Sequence, residues 1–340
     1  VSTLAGAPPA PPAAATAALL AGWRERLAER VPRVALADGE DERAIHAAAN
    51  LGADGVIRPV LFGRRRVIAA QAREHDVALH GATVFDVDSV GGTLHGTLDA
   101  LHARKPGGDV TAGRSDPLEL AVAALRCGLV DACVAGATRT TADVLRSGLR
   151  LIGLQAGVCT ASSCFLMVLP TGAPVVFADC AVLPEPTVPQ LADIAVAAAS
   201  TYRSLIGGTP RIALLSFSTR GSASHPSVGR VRAATEIVRE RMPGVPVDGE
   251  LQFDAAFAEG VGARKAPGSP VAGQANVFVF PNLDAANIGY KITERIGGAV
   301  ALGPILQGLR APLLDLSRGC SVTDLEMLSV ISAVRASNRP

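Results

Sequence analysis

Aromatic side chains are scarce in this chain: one Trp, two Tyr and nine Phe among 340 residues. A core without aromatic bulk must be packed from Ala, Val, Leu and Ile, and 49% of the residues are apolar. No apolar run reaches the roughly 20 residues needed to span a bilayer. An excess of either charge is missing too: 32 Lys and Arg against 31 Asp and Glu leave a net charge of +1. With no sustained basic run, a nucleic-acid surface is not the main business of the protein. The densest basic cluster, Arg64, Arg65 and Arg66, follows the strand-like Val60, Leu61 and Phe62 and reads as a solvated loop. The six cysteines include no CxxC pair and no His at zinc-site spacing. Several sit in apolar runs, where a free thiol packs as a small hydrophobe. That usage reads as a reduced, cytoplasmic chain. There is no GxGxxG fingerprint, so a dinucleotide site is unsupported. Residues 108–115 imitate a P-loop with Arg114 in place of lysine, but no buried strand leads into them.

What is present is an alternation of short apolar runs with helix-like stretches, the pattern of parallel α/β sheets. Residues 1–18, rich in Ala and Pro without a basic cluster, read as a disordered or loose tail and not as a signal peptide. Helices are expected over 20–30, 42–51, 118–128, 188–205, 228–241 and 323–336. Strands are expected over 33–37, 56–62, 132–135, 163–169, 175–178, 211–217 and 276–280, the last clear one. Residues 105–116 look like a surface loop. The pattern supports two α/β units.

Near the end of the chain, residues 315–324 (DLSRGCSVTD) gather a hydroxyl, a guanidinium, a glycine and a carboxylate just before an apolar-periodic helix. Arg318 can grip a phosphate or carboxylate with two parallel hydrogen bonds. Gly319 lets the backbone approach a ligand, and Asp324 can accept a proton. A plainer reading of the same residues is a capping box, with Ser321 and Asp324 three positions apart.

Eight blocks in order carry a resemblance from about residue 34 to 336: 38–43 (DGEDER), 135–146 (AGATRTTADVLR), 177–182 (FADCAV), 215–223 (LSFSTRGSA), 248–255 (DGELQFDA), 265–273 (KAPGSPVAG), 276–281 (NVFVFP) and 316–320 (LSRGC). With them the chain resembles the phosphate acetyl/butyryl transferase family. The resemblance implies an α/β fold of two domains with a cleft between them, of the isocitrate dehydrogenase type. The chain would build the first domain over 19–156, the second over 157–309, and return to the first over 310–340. It further implies a homodimer whose substrates are coenzyme A, acetyl phosphate and phosphate, with no cofactor and no catalytic metal.

By the same resemblance Ser317, Arg318 and Asp324 are catalytic. Asp324 would deprotonate the thiol, Ser317 would hydrogen-bond the oxyanion and Arg318 would hold the phosphoryl group. Arg146 and Arg104 would complete an anion pocket, and Ser218, Thr219, Gly221 and Ser222 would lie near coenzyme A phosphates. Glu250 and Asp254 read as cleft-lining or hydrogen-bonding groups. The chain departs from the family pattern at 116–125 (DPLELAVAAL), where aromatics and methionine are missing, and at 104–108 (RKPGG), where a second lysine is missing. Those departures bear on acyl preference. A propanoyl or butanoyl transferase, or a catalytically weak homologue that binds acyl-CoA or acetyl phosphate, are the alternative readings.

Overall fold

Unbroken apolar runs such as residues 132–135 suit strands buried on both faces. A computed structural model describes residues 12–89, 94, 96 and 115–338 of the protein. The chain divides into two units, one of Trp23–Ala161 with Gly303–Pro340, the other of Ser162–Leu302 with the N-terminal residues through Gly22.

In chain order the first elements are α1 (Pro12–Ala28), β1 (Arg33–Leu36), α2 (Glu42–Asp54), β2 (Arg58–Gly63), α3 (Arg65–Glu74) and β3 (Thr83–Asp86). They are followed by α4 (Pro117–Arg126), β4 (Ala132–Ala135) and α5 (Thr141–Ser147), which runs into a π turn, Gly148–Ile152. The second unit holds β5 (Ser162–Val168), β6 (Pro174–Ala178), α6 (Val188–Ile206), β7 (Ile212–Leu215), α7 (Pro226–Arg241) and β8 (Val247–Leu251). It continues with α8 (Phe253–Phe257), α9 (Glu259–Lys265), β9 (Val277–Val279), α10 (Leu283–Arg295) and β10 (Val300–Gln307). The chain comes back to the first unit within β10, at Gly303, and ends there with β11 (Leu313–Asp315) and α11 (Val322–Ser337).

The first unit is built on a five-stranded parallel sheet in the order β11-β4-β1-β2-β3. β1 and β4 are in register as Ala35 with Cys133, and β4 and β11 as Ala135 with Asp315. α2 and α11 pack on each other and on β2 and β4, while α4 lies against β1, β2 and β4. Three of these helices start where a short polar side chain takes an orphan N–H. Asp41 accepts from the N–H of Arg43 at the start of α2, Asp116 from that of Leu118 at α4, and Thr140 from that of Asp143 at α5.

The second unit carries a six-stranded sheet in the order β10-β5-β6-β9-β7-β8, antiparallel only between β5 and β6 among the strand pairs with a defined register. The scarce aromatics are concentrated here. Phe165, Phe177, Phe278 and Phe280 are buried together, and the rings of Phe253 and Phe257 stack at their margin. Asp179, also buried, accepts from the N–H groups of Ser163, Ala181 and Leu183 and anchors the turn after β6.

Three expectations are corrected. α1 begins at Pro12, inside the stretch read as a tail, because Ala has the best helix propensity and Pro is tolerated in a first turn. Arg64, Arg65 and Arg66 are exposed as expected but not in a loop: Arg64 is the N-cap of α3 and the other two open that helix. The strand over 277–279 is not the last, since β10 and β11 follow it. β10 is masked in the sequence by the Gly303–Pro304 pair, and β11 is only three residues long. Among the described residues no helix is long and apolar enough to cross a membrane.

Candidate active site

In an open parallel sheet the loops leaving the carboxyl ends of the strands form the natural ligand edge, and the best crevice lies where the strand order reverses. Here that point falls between β1 and β4, because β2 and β3 extend one way and β4 and β11 the other. The DGEDER, AGATR and LSRGC blocks are the loops that leave β1, β4 and β11 at this edge.

Two side chains from the first loop hold the others in place. Asp38 accepts from the N–H groups of Gly136 (2.9 Å), Ala137 (3.0 Å) and Thr138 (3.3 Å) and from the Thr138 hydroxyl. Arg43 donates to Asp41 through Nε and Nη2, each at 2.8 Å. Its Nη1 donates to the carbonyls of Arg318 (2.8 Å) and Cys320 (3.0 Å), and Nη2 also donates to that of Ala137 (2.9 Å). The Arg43 guanidinium holds the Asp41 carboxyl below its ordinary range. Beside these residues opens a cavity of about 620 Å³ lined by Asp38, Glu40, Arg64, Asp88, Thr138 and Arg139 among others. Its two arginines are already paired, Arg64 with Glu40 and Arg139 with Asp116.

The groups with open valences lie on the next connection. Ser317 and Arg318 are exposed. The Ser317 Oγ accepts from the N–H of Gly319 (3.3 Å), which leaves its O–H free to donate. The Arg318 guanidinium has no hydrogen-bond or ion-pair partner among the described residues, so its fork faces solvent. A Cβ on Gly319 would meet only the Ser317 Oγ, at 3.8 Å, so packing within the chain does not itself require glycine there. Ser321 and Asp324 form the capping box of α11: Asp324 Oδ2 accepts from Ser321 N and Oγ, each at 2.8 Å, and Ser321 Oγ accepts from Asp324 N. Only one carboxylate oxygen is used, and Oδ1 has no partner among the described residues. Cys320 shares the loop, yet burial pushes its thiol up, away from the thiolate.

Arg146 lies on α5, exposed and paired with Asp143 one turn away at 2.7 Å. Exposed pairs of this kind are worth about 0–1 kcal/mol, so an incoming anion can compete for the guanidinium. Arg104 lies outside the described residues, as does the P-loop-like run apart from Ser115. The divergent helix α4 is buried from Leu118 to Leu125, and the cavity touches it only at Pro117. Its small side chains therefore serve the core of the unit.

Ser218, Thr219, Gly221 and Ser222 belong to the other unit, in the loop after β7. There Glu250 Oε1 accepts from the Ser218 hydroxyl (2.9 Å) and the Gly221 N–H (2.8 Å), and Ser222 Oγ accepts from the Thr219 N–H (3.0 Å). Burial raises the Glu250 carboxyl, but Arg232, Gly221 and Ser218 outweigh it and bring its pKa down to about 2. An internal carboxylate thus holds donors that the sequence offered to a ligand phosphate. Asp254 pairs with Lys265 (2.8 Å). Among the described residues no cluster of three or more His, Cys, Asp or Glu could hold a metal.

Asp38, Arg43 and Asp315 fall within the sequence blocks above, but nothing in their local pattern marks a role. Asp315 ends β11, is fully buried, and accepts from the Thr141 hydroxyl at 2.5 Å. Burial is the largest influence on its carboxyl and lifts the pKa to about 6, against the pull of that hydrogen bond.

The chain is similar to known proteins over most of its length. Residues 20–333 match the family model described as phosphate acetyl/butaryl transferase. The chain is 44% identical over 313 residues to a phosphate acetyltransferase of Paracoccus denitrificans, covering 89% of this chain and 94% of that protein. It is 42% identical to the phosphate acetyltransferase of Clostridium acetobutylicum, with 89% and 94% covered. Among solved structures it is similar to a phosphotransacetylase from Streptococcus pyogenes, with a TM-score of 0.90, 39% identity, and 95% and 99% of the two chains covered.

Two expected outcomes follow from this geometry. Replacing Arg43 with Lys exchanges a fork for a point charge and strands three loop carbonyls. The fold should lose about 2–3 kcal/mol in urea titrations, and an unchanged midpoint would show that the loops hold without it. Asp315 binds a proton more tightly in the fold than in the unfolded chain, so its ionisation weakens the fold as the pH rises from about 4 to about 6. Asp315→Asn cannot ionise and should gain on wild type across that window, by up to about 3 kcal/mol. Parallel stability-versus-pH curves for the two proteins would contradict this.

Proposed function

The chain belongs to the phosphate acetyl/butyryl transferase family, and from that premise we propose that it transfers an acetyl group reversibly between coenzyme A and inorganic phosphate. The protein is an acyltransferase whose chemistry is acetyl-CoA + phosphate ⇌ CoA + acetyl phosphate. The observation that carries the assignment of roles is the β11–α11 connection, where an unpartnered guanidinium, a free hydroxyl proton and a free carboxylate oxygen come from Arg318, Ser317 and Asp324.

In the direction of acetyl-CoA synthesis, Asp324 Oδ1 takes the thiol proton as sulfur attacks the acetyl carbon. The Ser317 O–H donates to the carbonyl oxygen as it becomes an oxyanion. Arg318 holds the phosphoryl group and stays with it as the C–O bond breaks and phosphate leaves, and Arg146 adds a second cation for the same anion. Arg104 completes that pocket by resemblance. The resemblance further assigns Ser218, Thr219, Gly221 and Ser222 to coenzyme A phosphates. No metal enters the scheme, since a carboxylate base and two donors supply the proton transfer and the oxyanion contacts. The reading includes a cytoplasmic location and a homodimer. Support for the dimer comes from α10 and its C-cap, where Ile288, Ile292 and Ile296 form one stripe at 58, 52 and 82% exposure.

A coupled assay of acetyl-CoA formation from acetyl phosphate and coenzyme A tests the activity directly. Asp324→Asn keeps an oxygen for the Ser321 cap, so the melting temperature should hold while the rate falls by roughly 10²–10⁴. A drop in stability with an intact rate per folded molecule would leave Asp324 as a cap alone. Arg318→Gln should cost about 2–4 kcal/mol of transition-state stabilisation, like loss of an oxyanion donor. Near wild-type kinetics would remove Arg318 from the site. Ile292→Glu should sediment as a monomer where wild type sediments as a dimer, and a dimeric variant would place the interface elsewhere.

A further inference from the structure

Asp315 is used by none of these steps, yet it occupies the centre of the site's framework. It is 0% exposed. One oxygen, Oδ2, accepts from the Thr141 hydroxyl, while Oδ1 is buried without any hydrogen-bond partner. Asp315 stands in register with Ala135, so its side chain meets the turn that leaves β4. A Cβ on Gly136, whose φ is +111°, would stand 2.5 Å from Asp315 Oδ1 and 2.5 Å from the Leu316 carbonyl oxygen. Only glycine fits there. Asp38 holds the same turn by its N–H groups, so the turn is gripped between two carboxylates.

Stability does not explain this residue. A buried carboxylate with one bare oxygen costs the fold free energy, and a well-packed neutral side chain would be cheaper. Asp38, whose charge also acts on Asp315, has the same sign and raises the cost. What Asp315 does achieve is a junction. Ser317 follows two residues behind it, and Thr141, its donor, is the first residue of the helix that carries Arg146. The bond between them joins segments 174 residues apart in sequence.

We propose that Asp315 is a positioning residue of the acyl-transfer site, pinning the Ser317–Arg318 loop to the helix of Arg146 through its bond to Thr141. The inference rests on the reading of Arg318 and Arg146 as the phosphoryl-holding pair. An ionised oxygen accepts a hydroxyl proton in a shorter and stronger bond than a neutral amide oxygen does. Charge at this position therefore fixes the spacing of the two guanidinium groups without touching substrate.

The test compares Thr141→Val, Thr141→Ser, Asp315→Asn and the Asp315→Asn/Thr141→Val pair. The readouts are kcat and KM for phosphate with acetyl-CoA as donor, together with melting temperature at neutral pH. Thr141→Val and Asp315→Asn should each lower kcat/KM for phosphate by about ten-fold or more, since small misplacements of binding groups are costly, while Thr141→Ser stays within about two-fold. The pair should be no worse than its poorer single variant, because both remove one bond. Asp315→Asn should melt at or above wild type, so that lost activity cannot be lost fold. Wild-type kcat/KM per folded molecule in Thr141→Val, with wild type itself active, would overturn the positioning role alone. A wild-type protein without phosphate-dependent turnover would overturn the functional reading and the positioning role together.

Discussion

The guanidinium of Arg43 is the tie on which the ligand edge of the first sheet depends. Parallel strands release their loops side by side, and each loop leaves backbone groups that the sheet no longer pairs. Arg43 sits at the start of α2 and reaches the carbonyls of Ala137, Arg318 and Cys320 at once. Asp41 turns the side chain toward them by taking two of its N–H groups and also caps the helix on which it stands. A lysine has three donors at one point and no fixed plane, so it could not span three carbonyls. Because Arg318 is held by its own carbonyl, its side chain is left with nothing to do inside the fold.

Asp38 and Asp315 act on the same turn from two directions, and the difference between them is informative. Asp38 is saturated with donors, so its charge is solvated by the protein. Asp315 has one donor and one bare oxygen, and burial dominates its titration. Two carboxylates with so few cations between them are an expensive way to shape one turn, and such costs are tolerated where a site needs them.

How much of this was legible in the sequence depended on the range of the interaction. The buried central strands announced themselves as apolar runs, and 132–135 was placed to the residue. β10 was hidden by Gly303 and Pro304. The closeness of Ser317, Arg318 and Asp324 could be read because they lie within eight positions of one another. The tasks of Arg43 and Asp315 could not, since their partners lie up to 277 and 174 positions away. The Ser218–Ser222 loop shows the same limit from another side. Local pattern suggested a phosphate cradle, but Glu250, 32 positions on, supplies the anion from within.

Cap and base, which the sequence offered as competing descriptions of Asp324, turn out to use different oxygens. Oδ2 closes the box with Ser321 and Oδ1 remains open. The position also has an electrostatic consequence. A helix N-terminus favours negative charge, so a carboxylate suits this cap. Ordinary aspartate and thiol pKa values differ by roughly 4–5 units, about 6 kcal/mol. Such a base cannot accumulate free thiolate. It can only relieve the thiol as the carbon–sulfur bond forms, which places most of the burden on whatever stabilises the oxyanion and the departing phosphate. On the proposed reading those groups are Ser317 and Arg318, seven and six residues before Asp324, so their placement would matter more to the reaction than the strength of the base.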